Sequence, residues 1–174
     1  MSTKGLLVVY TGDGKGKTTA ALGLAFRALG HELPVCVIQF MKGTWKYGEL
    51  RSANQFASLL EFHVVGAGFT WKIEDIEIHR KAAQKGWRRA CGALASRRHT
   101  LVILDELTYP IKYGLIDETE VFAVLRARPP AMHVVVTGRD ASPALLDMAD
   151  LVTEMREIKH PFKAGVEAQK GIEF

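Results

Sequence analysis

The run Leu6-Leu7-Val8-Val9-Tyr10, followed directly by Thr11-Gly12-Asp13-Gly14-Lys15-Gly16-Lys17-Thr18-Thr19, decides the fold. Its first half is apolar and β-branched, as in a strand buried on both faces of a parallel sheet. Its second half opens an apolar-periodic segment, 17–29, that reads as a helix. Between them the glycines let the backbone curl so that its N–H groups and the helix N-terminus face phosphate oxygens. Lys17 then reaches the phosphates, and the Thr18 hydroxyl is placed to ligate Mg²⁺. The Walker A pattern has a glycine where Thr11 stands, and Gly12 is its neighbour. A chance glycine-rich turn ahead of a helix is the competing explanation, and the strand–loop–helix context favours phosphate binding.

Working outward, further strands are expected at 34–40, 61–65, 100–104, 133–137 and 151–154. Helices are expected at 49–60, 74–98, 117–126 and 143–148. Strand–helix alternation along the whole chain predicts an α/β, three-layer P-loop NTPase (RecA-like) fold. Its central sheet should be mostly parallel, with about six strands, in a single domain over 1–174. The stretch 159–174 has no clear period and is expected as a loop over the sheet edge.

Leu101-Val102-Ile103-Leu104-Asp105-Glu106 is an apolar strand ending in two carboxylates. It reads as Walker B, which brings acidity to the Mg²⁺ side of a nucleotide. A buried strand with a capping acidic pair is the plainer alternative. Two aromatic, glycine-containing turns follow the second and third strands: Lys42-Gly43-Thr44-Trp45 and Gly66-Ala67-Gly68-Phe69-Thr70-Trp71. Both fall where open α/β sheets bind ligands, and large rings there suit a flat, partly apolar ligand. Spacing alone favours the simpler role of anchoring loops to the core. Arg139, in Thr137-Gly138-Arg139 after the fifth strand, is placed either to reach a phosphate or to serve as an ordinary loop arginine. Arg80, Lys81, Lys85, Arg88, Arg89, Arg97 and Arg98 share a helix with Trp87. A solvated face explains them better than a nucleic-acid surface does.

The composition sets limits on this reading. Hydrophobic residues are 48% and charged residues 24% of 174, the profile of an ordinary globular chain. A net charge of +4 permits anionic ligands without implying nucleic acid. Two cysteines exclude a disulfide framework and a four-cysteine zinc site, and they suit a reducing cytoplasm. The six histidines show no metal-ligand spacing along the chain. Apolar runs fall short of a membrane span, and no signal or transit peptide is expected ahead of the first strand.

With these segments placed, the sequence resembles the P-loop ATP:corrinoid adenosyltransferases, which make adenosylcobalamin. The resemblance rests on 10–21, on Val37-Ile38-Gln39-Phe40-Met41-Lys42-Gly43-Thr44-Trp45, and on Gly68-Phe69-Thr70-Trp71. It continues through Leu104-Asp105-Glu106-Leu107-Thr108-Tyr109, Val136-Thr137-Gly138-Arg139 and 165–172. Thr11 in place of the Walker A glycine is the family's own form, whereas Asp13 stands where asparagine is expected. The resemblance implies that a reduced Co(I) corrinoid attacks the 5′ carbon of ATP and releases inorganic triphosphate. The product is adenosylcobalamin or a precursor. Co(I) is itself a strong nucleophile, so the protein need supply only alignment, leaving-group stabilisation and a dry pocket.

The implied nucleotide site is Gly12, Asp13, Gly14, Lys15, Gly16, Lys17, Thr18 and Thr19, with Trp45 and Arg139. The nucleotide lies reversed relative to ordinary P-loop enzymes. Mg²⁺, or Mn²⁺ in its place, falls to Thr18, Asp105 and Glu106. Lys17, Phe69 and Trp71 are the implied catalytic residues, the two rings displacing the corrinoid's lower ligand. Implied partners are ATP, cob(I)alamin or an earlier corrinoid, a flavoprotein reductant such as flavodoxin and a second copy in a homodimer. Nucleic acid and membrane are not among them. The competing expectation is a RecA-like ATPase acting on nucleic acid, with Glu106 activating water.

Overall fold

Strand β1 (Leu7–Thr11) is an inner strand of the sheet in the computed structural model, which describes residues 4–43, 47–66, 68 and 76–173. The chain continues through α1 (Lys17–Gly30), β2 (Val35–Gln39), α2 (Gly48–Ala53), β3 (Leu60–Val64) and α3 (Ile76–Ala95). There follow β4 (Leu101–Asp105), α4 (Thr108–Lys112), α5 (Glu118–Ala127), β5 (His133–Thr137), α6 (Pro143–Met148) and β6 (Leu151–Glu154). The six strands run in the order β3-β2-β4-β5-β1-β6, and each neighbouring pair is parallel.

Alternation along the strands splits the core between the two faces of the sheet. Leu7 and Val9 of β1 join Cys36, Ile38, Val102, Leu104, Val134 and Val136 under Trp87, Ala90 and Leu94 of α3 and Val121, Phe122 and Leu125 of α5. Val8 joins Val35, Val37, Leu101, Ile103 and Val135 under Ala21, Ala25 and Leu29 of α1. The result is the three-layer α/β P-loop fold that the alternation predicted. Parallel pairing places every strand's carboxyl end on one edge. Tyr10 pairs with Thr137 and Gln39 with Asp105, so the ends of β1, β5, β2 and β4 lie side by side.

Two expectations change in detail. The helix expected at 49–60 stops at Ala53 and gives way to a 3-10 turn at Asn54–Phe56. The carbonyl of Leu59 accepts from Val35 N at 2.8 Å, so the end of that segment already belongs to the sheet. Helix α4 is additional, and Pro110 within its first turn hides it from propensity reading. Strand β6, at the expected 151–154, is an exposed edge of the sheet, with Leu151 and Val152 each 43% accessible. Beyond it the chain passes the Gly12–Lys15 loop and forms a 3-10 turn at Pro161–Ala164.

Candidate functional site

The loop after β1 is shaped by its contact with the chain beyond β6. Gly12 has φ 92°, and a Cβ there would lie 2.5 Å from the carbonyl oxygen of Met155. Gly14 approaches the same carbonyl so closely that a Cβ would sit 2.7 Å away, and its N–H donates to it at 2.6 Å. Only glycine fits either position. The helix that follows starts without a side-chain cap and with no acid in its first turn. By contrast α5 and α6 are capped by Asp117 and Ser142. The opening N–H groups of α1 are therefore available to an external anion.

Lys17 folds back over this loop, its ammonium donating to the carbonyls of Gly12 and Gly14, each at 2.6 Å. Burial, then the nearby Arg139, holds its pKa below the ordinary lysine value. Arg139 reaches the loop from the end of β5: its Nη2 donates to the Asp13 carbonyl at 3.2 Å and its Nε lies 3.7 Å from the Asp13 carboxylate. Asp13, Lys15 and Thr19 are exposed, and Lys15 forms an ion pair with Glu173 near the C-terminus.

At the end of β4, Asp105 is 1% exposed and fully engaged. The Thr18 hydroxyl donates to its Oδ1 at 2.8 Å, the Thr137 hydroxyl donates to the same oxygen at 2.7 Å, and Gln39 Nε2 donates to Oδ2 at 3.0 Å. Thr137 also accepts from the N–H of Glu106 at 2.9 Å. Glu106 takes a left-handed backbone, φ 62°, and its Oε2 is buried without a hydrogen-bond partner among the described residues. Burial, with Asp105 beside it, pushes Glu106 up to about 7, while Lys42, Lys17 and Arg139 pull the other way. A pair of carboxyl groups ringed by cations suits a metal–polyphosphate complex, since a bound divalent cation favours the ionised form of both. The unpartnered Glu106 oxygen, next to a threonine hydroxyl and an aspartate, fits a divalent cation bound by hard oxygen ligands.

The structure thus brings together Gly12 to Thr18, Asp105, Glu106 and Arg139. Trp45, Phe69 and Trp71 lie outside the described residues. The described parts of their two turns do converge: a Cβ on Gly68 would sit 3.8 Å from Gly43 Cα. Gln39 and Thr137 were not expected as site residues. Their signal was a polar side chain closing an otherwise apolar strand; both are 0% exposed. In the basic helix, Trp87 is 4% exposed and donates to Glu120 at 2.8 Å, so its ring is not presented for base stacking.

A sequence profile described as ATP:corrinoid adenosyltransferase BtuR/CobO/CobP matches residues 3–174. A corrinoid adenosyltransferase of Pseudomonas aeruginosa is 45% identical over 171 residues, covering 98% of this chain and 84% of the relative. The corrinoid adenosyltransferase CobA of Salmonella typhimurium is 44% identical, with 98% and 86% covered. Among solved structures, the flagellar accessory protein FlaH of Methanocaldococcus jannaschii superposes with a TM-score of 0.60 at 11% identity, over 87% of this chain and 71% of that one. That last likeness concerns the fold alone.

Proposed function

The chain belongs to the ATP:corrinoid adenosyltransferase family, and on that premise we propose how its residues divide the work of the reaction. The enzyme adenosylates corrinoids using ATP. In our reading the Co(I) centre of the corrinoid substrate supplies the electron pair. A Co–C bond forms at the 5′ carbon of ATP as the C–O bond to the triphosphate breaks, and inorganic triphosphate leaves. The site needs no protein nucleophile, only groups that hold the leaving group and exclude water.

The triphosphate rests on the Gly12–Thr18 loop. Lys17 leaves the Gly12 and Gly14 carbonyls for the phosphate oxygens, where charge grows as the C–O bond breaks. Arg139 supplies a second cation at the rim. Thr18, Asp105 and Glu106 would hold Mg²⁺, or Mn²⁺, which when bound neutralises part of the triphosphate charge. Gln39 and Thr137 keep the Asp105 carboxylate oriented. Trp45 flanks the nucleotide, and Phe69 and Trp71 work on the lower face of the corrinoid. A flavoprotein such as flavodoxin delivers the electron that makes Co(I). The enzyme acts in the cytoplasm as a homodimer, each copy a single domain over 1–174. No helix among the described residues is long and apolar enough to cross a membrane.

The observation that carries the reading is the convergence of Lys17, Thr18, Asp105 and Glu106 on one sheet edge, with Gly43 and Gly68, the described parts of the two aromatic turns, close together. Mixing the protein with ATP, Mg²⁺ and chemically reduced cobalamin should turn the Co(I) visible spectrum into that of an alkylcobalamin. A spectrum that stays Co(I) sinks the proposal. One observation favours a second reading: a buried, unpartnered carboxylate near neutrality also suits a base that activates water, as in an ATPase.

A further inference from the structure

On the face of the sheet opposite Asp105, β2 and β3 assemble a second group of donors. The two-residue period of a strand puts Glu61 and His63 on one face of β3, and the parallel register seats Cys36 of β2 beside Glu61. One donor atom from each of Cys36, Glu61 and His63 lies within 4.8 Å of the other two. His63 Nε2 is 3.7 Å from Glu61 Oε2. Two ligands bound tetrahedrally at ~2.0–2.2 Å are themselves ~3.3–3.6 Å apart, so this pair needs only a small adjustment. Spacing along the chain hides the group, because the third donor comes from the neighbouring strand.

His99, on the loop between α3 and β4, supplies an independent observation. Its side chain is 3% exposed and its Nε2 stands 3.3 Å from Glu61 Oε1, while its Nδ1 is buried without a partner among the described residues. A histidine behind a carboxylate ligand fixes that ligand's orientation. Cys36 is 1% exposed, whereas the side chains of His63 and Glu61 are 26% and 42% exposed, so the group opens to solvent along edge strand β3. Two guanidinium groups face it: Arg98 Nη1 is 3.2 Å from Glu61 Oε1, and Arg89 Nη1 is 3.4 Å from His63 Nδ1. Arg98 is 67% exposed and free to turn into water.

We propose that Cys36, Glu61 and His63 bind a thiophilic divalent cation of the zinc class, with His99 positioning Glu61 and Arg98 competing for the same carboxylate. Thiolate, imidazole and carboxylate together select such an ion over Mg²⁺. On binding, the Cys36 S–H bond breaks, the sulfur donates its pair to the metal and the proton leaves to solvent. Without the metal, burial keeps that thiol up at about 12. The ion ties β3 to β2 on the face of the sheet opposite Asp105, and Cys36 pairs with Val102, three residues or ~10 Å before Asp105 along β4. It is therefore separate from the Thr18, Asp105 and Glu106 group.

The test titrates Co²⁺ into the full chain in the presence of excess Mg²⁺ and ATP and follows the thiolate-to-cobalt charge-transfer band, which hard oxygen ligands cannot produce. Wild type and Cys91→Ser should show the band, Zn²⁺ should erase it by competition, and Cys36→Ser should lack it. His63→Gln and His99→Gln should each weaken Co²⁺ binding by about 10-fold or more. Arg98→Ala should tighten it, an outcome that a purely salt-bridged cluster would not give. No band in wild type, a band that survives Cys36→Ser, or one lost in Cys91→Ser overturns the site. Should Cys36→Ser fail to fold, His63→Gln, whose side chain is partly exposed, decides in its place, and unchanged affinity in that variant overturns the site equally.

Discussion

Glu106 is held in a left-handed backbone by the Thr137 hydroxyl, with one carboxylate oxygen buried and unpartnered among the described residues. Its ordinary value of 4.5 is raised to about 7, so between those two pH values the folded chain keeps a proton that the unfolded chain has lost. The folded state then binds more protons, and the contribution of Glu106 to stability falls as pH rises through that window. Metal-free wild type should lose stability relative to Glu106→Gln by at most about 1.4 kcal/mol per pH unit there. Denaturant midpoints measured in chelator check this; parallel pH profiles for the two proteins would contradict it. Lys17 makes a different prediction. Among the described residues its ammonium is tied to loop carbonyls in the resting protein, and in the proposed mechanism it gains most when charge builds on the leaving triphosphate. Lys17→Ala should leave the fold intact and slow transfer about 100-fold or more, a loss of ~3 kcal/mol in the transition state. Single-turnover rates with chemically reduced cobalamin read this directly.

At the scale of elements, the glycine-rich loop and the chain beyond β6 depend on each other. Gly12→Ala forces a side chain onto a φ of 92° and into the Met155 carbonyl, which should cost about 1–3 kcal/mol and weaken ATP binding. Gly23→Ala, in the exposed interior of α1 with nothing within 4 Å of its new Cβ, should instead stabilise by up to ~1 kcal/mol. Thermal unfolding of the two variants should therefore move in opposite directions. The strands and most helices were legible because β1, β2, β4 and β5 are apolar runs bounded by turns, a pattern that local sequence records. Helix α4 was not, since Pro110 masks a single turn whose place is set by packing. The early end of α2 was not either, because the sheet claims Leu59 through a backbone bond that no local propensity records.

At the scale of the whole molecule, the candidate site was legible as far as its chemistry is written in contiguous motifs: Gly12 to Thr18, Asp105-Glu106 and Arg139. What escaped was what only the assembled sheet brings together. Gln39 and Thr137 meet Asp105 from two other strands, and the chain near Met155 and Glu173 returns to the first loop. The aromatic turns test the division between reduction and transfer. If Phe69 and Trp71 act on the lower face of the corrinoid, Phe69→Ala and Trp71→Ala should be strongly impaired with a flavoprotein reductant and largely rescued by Co(I) prepared chemically. Equal losses in both assays would return the rings to anchoring their loops. The central claim, that this P-loop holds triphosphate as a leaving group, is tested most directly by identifying the phosphate product by phosphorus NMR as reduced corrinoid is consumed. The account predicts inorganic triphosphate in step with adenosylated corrinoid, one for one; orthophosphate and ADP, formed whether or not corrinoid is present, would contradict it.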